Sequence, residues 1–219
     1  MPYALVLVAS AVACLVAESL GARGVVYVTK PLATLAIVAM AARAADPVSP
    51  RYRALVVAGL GWSLLGDVLL MLPQDLFVAG LAAFLIAHLC YITAFSGAGG
   101  GARAWGAFAG VAVVGACILA LLWPRLGMLR LPVAAYVSVI STMAWQALAR
   151  WRGTRAPGAL GAAVGGLLFM VSDAAIAVGR FLMDFPGQRV LVLATYWAAQ
   201  WLIAASVQRP GGASTSRTT

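Results

Sequence analysis

The sequence predicts an all-α membrane protein with eight transmembrane helices. Hydrophobic residues make up 63% of the 219 residues, and only 10% are charged, whereas soluble proteins average about 25% charged residues. Long apolar runs alternate with short connections rich in Gly, Pro and Arg. These observations exclude a soluble enzyme. They also assign the net charge of +9 to loops that face lipid headgroups, so it does not indicate nucleic-acid binding.

Each predicted helix follows from its length, because crossing a bilayer takes about 20 mostly apolar residues. This length predicts helices at 3–20, 26–43, 53–72, 77–96, 104–123, 131–149, 158–179 and 189–207. Together they form one transmembrane domain, residues 1–208, followed by a Gly/Ser/Thr-rich tail, 209–219, that we expect to be disordered. The first run has no Lys or Arg before it and contains Glu18, so we expect a retained helix and not a signal peptide.

The basic residues predict the orientation of the chain, since Lys and Arg are enriched in cytoplasmic loops. The tail and the loops after the second, fourth and sixth predicted helices hold nine of them, and the opposite side holds six. We therefore expect both termini to face the cytoplasm, with the protein in the inner membrane of a bacterium. Arg150 to Pro157 is predicted as one of the inner connections.

The two halves of the chain show a weak similarity. The third predicted helix reads SLLGD and the seventh reads FMVSD, so each carries an Asp in its later part. The second begins with Lys30-Pro31-Leu32 and the sixth with Leu131-Pro132-Val133. Two parallel four-helix repeats, as in some transporters, are one interpretation. Chance similarity is the other.

Several costly polar groups fall at one depth. A charged carboxylate inside hydrocarbon costs about 2.5–3.5 kcal/mol on insertion scales. Under the predicted orientation, five helices place such groups in the outer half of the bilayer, and His88 lies nearer the middle. The groups at that level are Asp67, Asp173, Glu18, Lys30, Arg180 and Tyr196. Because scattered structural residues need not share a depth, we expect one polar pocket that opens toward the outer leaflet.

Asp67 and Asp173 are the strongest functional candidates among these groups, because intramembrane carboxylates indicate function by default. Gly66, directly before Asp67, leaves room for another backbone or a ligand. Ser63 and Ser172 lie nearby, but serines in apolar helices more often bond the helix backbone than act as nucleophiles.

The other candidates have structural alternatives. Lys30 could extend its ammonium to the interface, and Glu18 could be an interfacial charge or the partner of Lys30. Arg180 could anchor a helix end. His88 could be a neutral core histidine hydrogen-bonded to Tyr91 or to a carbonyl.

The residue types favour carboxylate chemistry over metal chemistry. Zinc sites take about three His, Cys or carboxylate ligands, but the chain has one His, and its three Cys show no paired spacing. We therefore expect no metal site and no cofactor. Acid-catalysed cleavage of an acetal-like bond needs one protonated carboxyl that donates and one ionised carboxylate that steadies a cation or activates water.

Motifs along most of the chain carry a resemblance. They read K-P-L at 30–32, G-W-S-L-L-G-D-V-L-L-M-L at 61–72, G-L-x-A-F-x-x-A-H-x-x-Y at 80–91, S-D-x-x-I-A-x-x-R-F at 172–181 and T-Y-x-x-A-Q-x-L-I at 195–203. In these residues the chain resembles the YhhN-like lysoplasmalogenase family, from about residue 18 to 204. The resemblance implies an eight-helix membrane enzyme. It would hydrolyse the vinyl ether bond of lysoplasmenyl-ethanolamine or -choline to a fatty aldehyde and a glycerophospho-headgroup.

The residues and the resemblance together assign roles. One of Asp67 and Asp173 would donate the proton and the other would stabilise the cation, with the two carboxyls about 5–9.5 Å apart as in glycosidases. The expected substrate-binding residues are Lys30, Glu18, His88, Tyr91, Arg180, Tyr196 and Gln200. The expected partner is a lysophospholipid taken from the bilayer. A proton-coupled transporter and a non-catalytic lipid-binding protein remain as alternatives.

Overall fold

The computed structural model describes residues 2–97 and 105–209, and these ranges are built of α-helices. Their eight helices are α1 (Pro2–Ser19), α2 (Arg23–Ala42), α3 (Pro50–Met71), α4 (Phe77–Gly97), α5 (Trp105–Leu122), α6 (Arg130–Thr154), α7 (Pro157–Phe181) and α8 (Gln188–Ala205). Two 3₁₀ turns, Trp123–Arg125 and Gly127–Leu129, join α5 to α6. No strand occurs in the described ranges, so the all-α prediction is confirmed.

Seven of the described helices, α1 to α7, are long and apolar enough to cross a membrane. The 18-residue α8 includes Gln188, Arg189 and Gln200, which lower its mean hydropathy. Large apolar side chains are exposed along the outside of the bundle, whereas several polar side chains are buried inside it. Apolar groups outside and polar groups inside are the arrangement of an integral membrane protein.

Local sequence signals explain where the helices begin. The Ser49 side chain caps α3 by accepting a hydrogen bond from the backbone N–H of Tyr52 at 3.0 Å. Pro50 and Pro157 open α3 and α7, where a missing N–H costs nothing. Gly187, with φ of 78°, makes the turn into α8, a conformation that glycine adopts without strain.

The predicted connection from Arg150 to Pro157 is wrong at its start, because α6 continues to Thr154. Arg150 is only 3% exposed, and its guanidinium lies 4.5 Å from the ring centroid of Tyr52. This cation–π contact links the last turns of α6 to the first turn of α3. The helix ends at Arg155, whose φ is 53°.

Six helices form a closed ring in the order α2, α3, α4, α6, α7 and α8, with α8 packed against α2. Helix α1 packs outside α2 and α8, and α5 packs outside α6 and α7. In this order α3 and α7 lie on opposite sides of the ring. A shift of four helices maps the packing onto itself, since the pairs α1–α2, α2–α3, α3–α4 and α4–α6 become α5–α6, α6–α7, α7–α8 and α8–α2.

The end of α8 is tied to the loop between α2 and α3 by a segment that we call the C-terminal strap, residues 207–209. The N–H of Val48 donates to the carbonyl of Val207 at 2.8 Å, and the N–H of Arg209 donates to the carbonyl of Asp46 at 2.9 Å. Arg209 is therefore held in place. The rest of the predicted disordered tail, residues 210–219, lies outside the described residues.

Glycines let α3 and α4 pack closely. A Cβ on Gly66 would come within 2.6 Å of the Phe84 ring, and a Cβ on Gly80 would come within 2.6 Å of the Leu70 side chain. The room that Gly66 provides is thus filled by Phe84. This close packing positions the polar residue that follows, Asp67, toward the inside of the ring.

Candidate active site

Asp67 is buried at the contact of three helices, with 2% of its side chain exposed. The Nζ of Lys30 from α2 lies 3.1 Å from Oδ1. The hydroxyls of Thr34 from α2 and Tyr196 from α8 donate to Oδ2 at 2.9 and 2.6 Å. One cation and two hydroxyl donors suit a carboxylate anion, which has only acceptor sites.

The local sequence explains this cluster. Lys30 and Thr34 are four residues apart on α2, so they share one face of the helix. Tyr196 reaches the cluster because α8 closes the ring against α2 and also touches α3. The sequence pattern identified Asp67, Lys30 and Tyr196, but it missed Thr34. The four-residue spacing from Lys30 was the signal that could have found it.

Asp173 lies in a different environment, on the wall of what we call the apolar cavity. This space is lined by side chains from α3, α4, α5, α6 and α7. Among its lining residues only Asp173 and Tyr136 carry polar side chains. The hydroxyl of Tyr136 on α6 donates to Oδ2 of Asp173. Tyr136 was also missed by the sequence analysis, since a tyrosine in an apolar helix looks like a core residue.

A second, larger space, which we call the polar vestibule, lies where α1, α3 and α7 end and α2, α4 and α8 begin. Its wall carries four cationic and three acidic side chains. These are Arg23, Lys30, Arg180, Arg189, Glu18, Asp75 and Asp184. The vestibule thus collects charge from both halves of the chain at one end of the bundle.

Two ion pairs lie on the wall of the vestibule. Arg189 donates to Glu18 at 2.9 Å, and Arg180 donates to Asp75 at 2.6 Å. Of the two structural alternatives for Glu18, pairing with Lys30 is not seen, because Lys30 is held by buried Asp67 and Glu18 pairs with Arg189. Arg189 is one of the six basic residues that the sequence analysis counts on the outer side of the chain.

The two spaces meet at a common wall. Leu70, Phe77 and Ile176 line both the apolar cavity and the polar vestibule. Both spaces also lie at the same end of the bundle, since the vestibule is lined by the helix ends around Met71 and Arg180, and the cavity reaches Phe181. The arrangement places the charged vestibule beside the apolar cavity.

A series of aromatic rings runs between the two aspartates. The ring centroid of Tyr196 lies 5.5 Å from that of Phe169, which lies 4.7 Å from His88, which in turn lies 5.4 Å from Tyr136. Each contact is edge-to-face, a favourable geometry for aromatic pairs. The tyrosine at each end hydrogen-bonds one aspartate, so each carboxylate has its own partners.

His88, Tyr91 and Gln200 are all fully buried. Tyr91 donates to Oε1 of Gln200 at 2.8 Å, and hydrogen-bonds neither aspartate. Neither ring nitrogen of His88 has a hydrogen-bond partner in the described ranges. A bond from His88 to Tyr91, one of the structural alternatives, is not seen there, and the histidine ring packs edge-on against aromatic neighbours.

The charged side chains do not gather into a metal site. Within the described ranges no three His, Cys, Asp or Glu side chains lie close enough to hold one ion. The polar groups instead form hydroxyl–carboxylate and ion pairs. These can bind an anion, hold a proton on a carboxyl, or position water.

Comparisons with known proteins agree on one family. The model of the YhhN family matches residues 25–207. The lysoplasmalogenase TMEM86A of Bos taurus is 38% identical over 163 residues, which cover 69% of this chain and 64% of the relative. A lysoplasmalogenase of Mycobacterium bovis is 38% identical over 181 residues, covering 79% and 67%. The uncharacterized membrane protein YhhN of Escherichia coli O6:H1 is 31% identical, covering 83% and 86%. No solved structure matches significantly.

Proposed function

The chain belongs to the YhhN family, and from this membership we propose that it is a membrane-embedded hydrolase of lysoplasmalogens. The reaction is cleavage of the vinyl ether bond of lysoplasmenyl-ethanolamine or -choline, with release of a fatty aldehyde and a glycerophospho-headgroup. Relatives that carry the name lysoplasmalogenase support this activity. The chain spans 64% of the bovine relative's own length.

One observation carries the proposal: a carboxyl group lies in an apolar cavity that shares a wall with a cationic vestibule. A lysolipid has one long apolar chain and one phosphate headgroup. The cavity suits the chain, and the vestibule suits the phosphate, because guanidinium groups bind phosphate oxygens with paired N–H donors. The vinyl ether bond lies between chain and headgroup, so it would meet the wall that the two spaces share.

In the proposed reaction, Asp173 is the acid. It protonates the double-bond carbon that is not bonded to the ether oxygen. The positive charge that results on the other carbon is shared with the oxygen as an oxocarbenium ion. Water adds to the carbon beside the oxygen, and its released proton returns to Asp173. The hemiacetal then separates into the aldehyde and the glycerol hydroxyl. Tyr136 supports this role by binding Oδ2 of Asp173, which leaves Oδ1 to carry the transferred proton.

Asp67 would act as the anion of the site. It is surrounded by the donors of Lys30, Thr34 and Tyr196, so it is arranged to stay ionised and to oppose the positive charge that develops in the reaction. It also holds Lys30 on the vestibule wall, where the ammonium can face a phosphate. Glu18 and Arg180 would bind or orient the headgroup.

Three buried residues that line neither space would support the site: His88, Tyr91 and Gln200. The aromatic series from Tyr196 to Tyr136 includes His88, and the Tyr91–Gln200 bond joins α4 to α8. Fixing these helices would keep the two aspartates in position relative to the substrate. No metal or organic cofactor is needed for this chemistry.

The membrane arrangement completes the proposal. We take α8 as an eighth transmembrane helix, which places both termini on the same side of the membrane. The distribution of Lys and Arg makes that side the cytoplasm, so both spaces face the outer leaflet. A bacterial inner membrane is the proposed location. The four-helix shift that maps the packing onto itself supports two parallel repeats. A transporter would need access from both sides, whereas the two described spaces lie at one end of the bundle.

The direct test is incubation of the purified protein with lysoplasmenyl-ethanolamine, followed by an assay for free aldehyde. We expect aldehyde and glycerophosphoethanolamine in equal amounts. The matched saturated alkyl lysolipid should be left intact because it has no double bond to protonate. Absence of aldehyde from folded protein, with both lipids bound equally, would favour a lipid-binding protein instead.

A further inference from the structure

The wall between the apolar cavity and the polar vestibule contains one large aromatic side chain. Phe77 is half-buried at the start of α4 and, with Leu70 and Ile176, lines both spaces. An apolar chain whose headgroup stays in the vestibule reaches the cavity most directly across this wall, because the two spaces share it. The position of the Phe77 ring therefore decides whether the two spaces are joined.

Two residues near the end of α7 hold the Phe77 ring. The guanidinium of Arg180 lies 5.1 Å from its centroid, and the ring of Phe181 meets it edge-on at 5.7 Å. A cation over a ring and an edge-to-face aromatic pair are each modestly favourable. These two contacts hold the Phe77 ring in place, but they are weak enough for the ring to move.

Arg180 is itself held by an exposed carboxylate. Its Nη2 lies 2.6 Å from Oδ2 of Asp75, and the two side chains are 44% and 64% exposed. Ion pairs exposed to this degree contribute little stability. A phosphate offers Arg180 more oxygens and at least as much charge as Asp75 does, so a phosphate in the vestibule can replace Asp75 as its partner.

We propose that Phe77 is a gate between the polar vestibule and the apolar cavity, and that a lipid phosphate opens it by drawing Arg180 away from Asp75. This inference rests on the proposed function, in which a headgroup occupies the vestibule. The consequence is selectivity. A lipid with a phosphate opens the gate, so that its chain can enter the apolar cavity, whereas a neutral lipid with the same chain leaves the gate closed.

The experiment compares two uncleavable ligands on the protein in nanodiscs. One is a saturated alkyl lysophosphoethanolamine, and the other is the alkylglycerol with the same chain. Association rates are corrected with empty nanodiscs. For the unchanged protein we expect the phosphate lipid to associate about tenfold faster, a factor that corresponds to the contacts holding Phe77. In Phe77→Ala the two rates should agree within about twofold, because the neutral lipid becomes faster.

Two further variants guard against misfolding of Phe77→Ala. Phe77→Leu keeps an apolar side chain but loses both ring contacts, and Asp75→Asn releases Arg180 while suiting the positive φ of 52° at that position. Both variants should reduce the difference between the association rates of the two ligands. Phe108→Ala is the matched control, because Phe108 packs on Trp105 and Trp145 and lines neither space. It should keep the full difference.

The proposal is overturned if the unchanged protein binds both ligands at one rate, if the Phe77 variants keep the tenfold difference, or if Phe108→Ala removes it as well. Aldehyde release from lysoplasmenyl-ethanolamine is measured in parallel. If the gate behaves as expected but no aldehyde forms, the proposed hydrolysis fails and the gate stands. If aldehyde forms normally while the Phe77 variants bind like the unchanged protein, only the gate fails.

Discussion

The hydroxyl of Tyr196 lies 2.6 Å from Oδ2 of Asp67 and donates to it. The two residues are far apart in the sequence, on α8 and α3, and they meet because the ring of helices closes between α8 and α2. The opposite aspartate, Asp173, has a corresponding tyrosine, Tyr136, from the helix before it. Each carboxylate therefore accepts a tyrosine hydroxyl, but only Asp67 pairs with a lysine, and only Asp173 lines the apolar cavity.

This difference predicts a difference between the two Asp→Asn variants. Asp173→Asn should lower kcat by at least about 10²-fold, the typical value of general acid assistance, with little change in Tm, since Asn is nearly isosteric. The measurements are aldehyde release and thermal unfolding in detergent. Near-normal turnover by folded Asp173→Asn would remove this residue from the proposed mechanism.

Asp67→Asn should lose both activity and stability. The change leaves the ammonium of Lys30, which is 16% exposed, without its carboxylate, and breaking a buried pair on one side costs about 3–5 kcal/mol, less for a partly hydrated partner. We expect a clear drop in Tm. Adding Lys30→Met should recover most of the Tm, because it removes the unpaired charge, but should not recover activity. An unchanged Tm in Asp67→Asn would contradict the pairing.

Tyr136→Phe should slow the reaction without weakening substrate binding. The variant removes the hydroxyl that positions Asp173, and one hydrogen bond to a charged or reacting group contributes about 1.5–3 kcal/mol. We expect kcat to fall about tenfold or more and KM to stay constant. Tyr3→Phe is a suitable control, because Tyr3 bonds only the exposed Arg43 in the described ranges. Equal effects of both changes would argue against a specific role of Tyr136.

Arg189→Gln should weaken binding of the phosphate and leave the chemical step intact. Arg189 lines the vestibule and pairs with Glu18. Because the pair is exposed, we expect a modest increase in KM, about threefold to tenfold, that becomes smaller at high salt as charges are screened. Arg125→Gln, which lies outside both linings, controls for total charge. A lower kcat at constant KM would contradict a headgroup role.

Topology gives a prediction that is independent of catalysis. With eight spans and the observed distribution of Arg, the end of the C-terminal strap should face the cytoplasm. A reporter fused after Arg209 should be active only if it is of the kind that works in the cytoplasm. External labelling of this end would reverse the orientation and would move the vestibule to the cytoplasmic leaflet.

The sequence analysis predicted the helices well because transmembrane helices are limited by one physical requirement, the burial of about 20 apolar residues. The predicted bounds agree with α2 to α5 within a few residues. The predicted end of α6 was wrong because charged residues such as Arg150 are typical of a loop. In the structure the guanidinium of Arg150 is buried against the ring of Tyr52. That contact joins two distant segments, and no local pattern encodes it.

The sequence analysis proposed candidate site residues more readily than the contacts between them. Intramembrane carboxylates are rare enough to stand out, so Asp67 and Asp173 were identified directly. Their partners depend on which helices are neighbours, and the sequence does not give the order of helices in the ring. Tyr136 and Thr34 were therefore missed, and the pairing of Glu18 with Arg189 was not among the alternatives considered.

The ion pair between Lys30 and Asp67 also bears on how the chain enters the membrane during synthesis. The two charges belong to consecutive helices, α2 and α3, which leave the ribosome one after the other as a hairpin. Each charge alone opposes insertion by about 2.5–3.5 kcal/mol, but as a hairpin they can be inserted already neutralised. Tyr196 arrives last of all, with α8. Lys30 and Asp67 can thus be paired in the bilayer before α8, which completes the hydrogen bonds of Asp67, has been made.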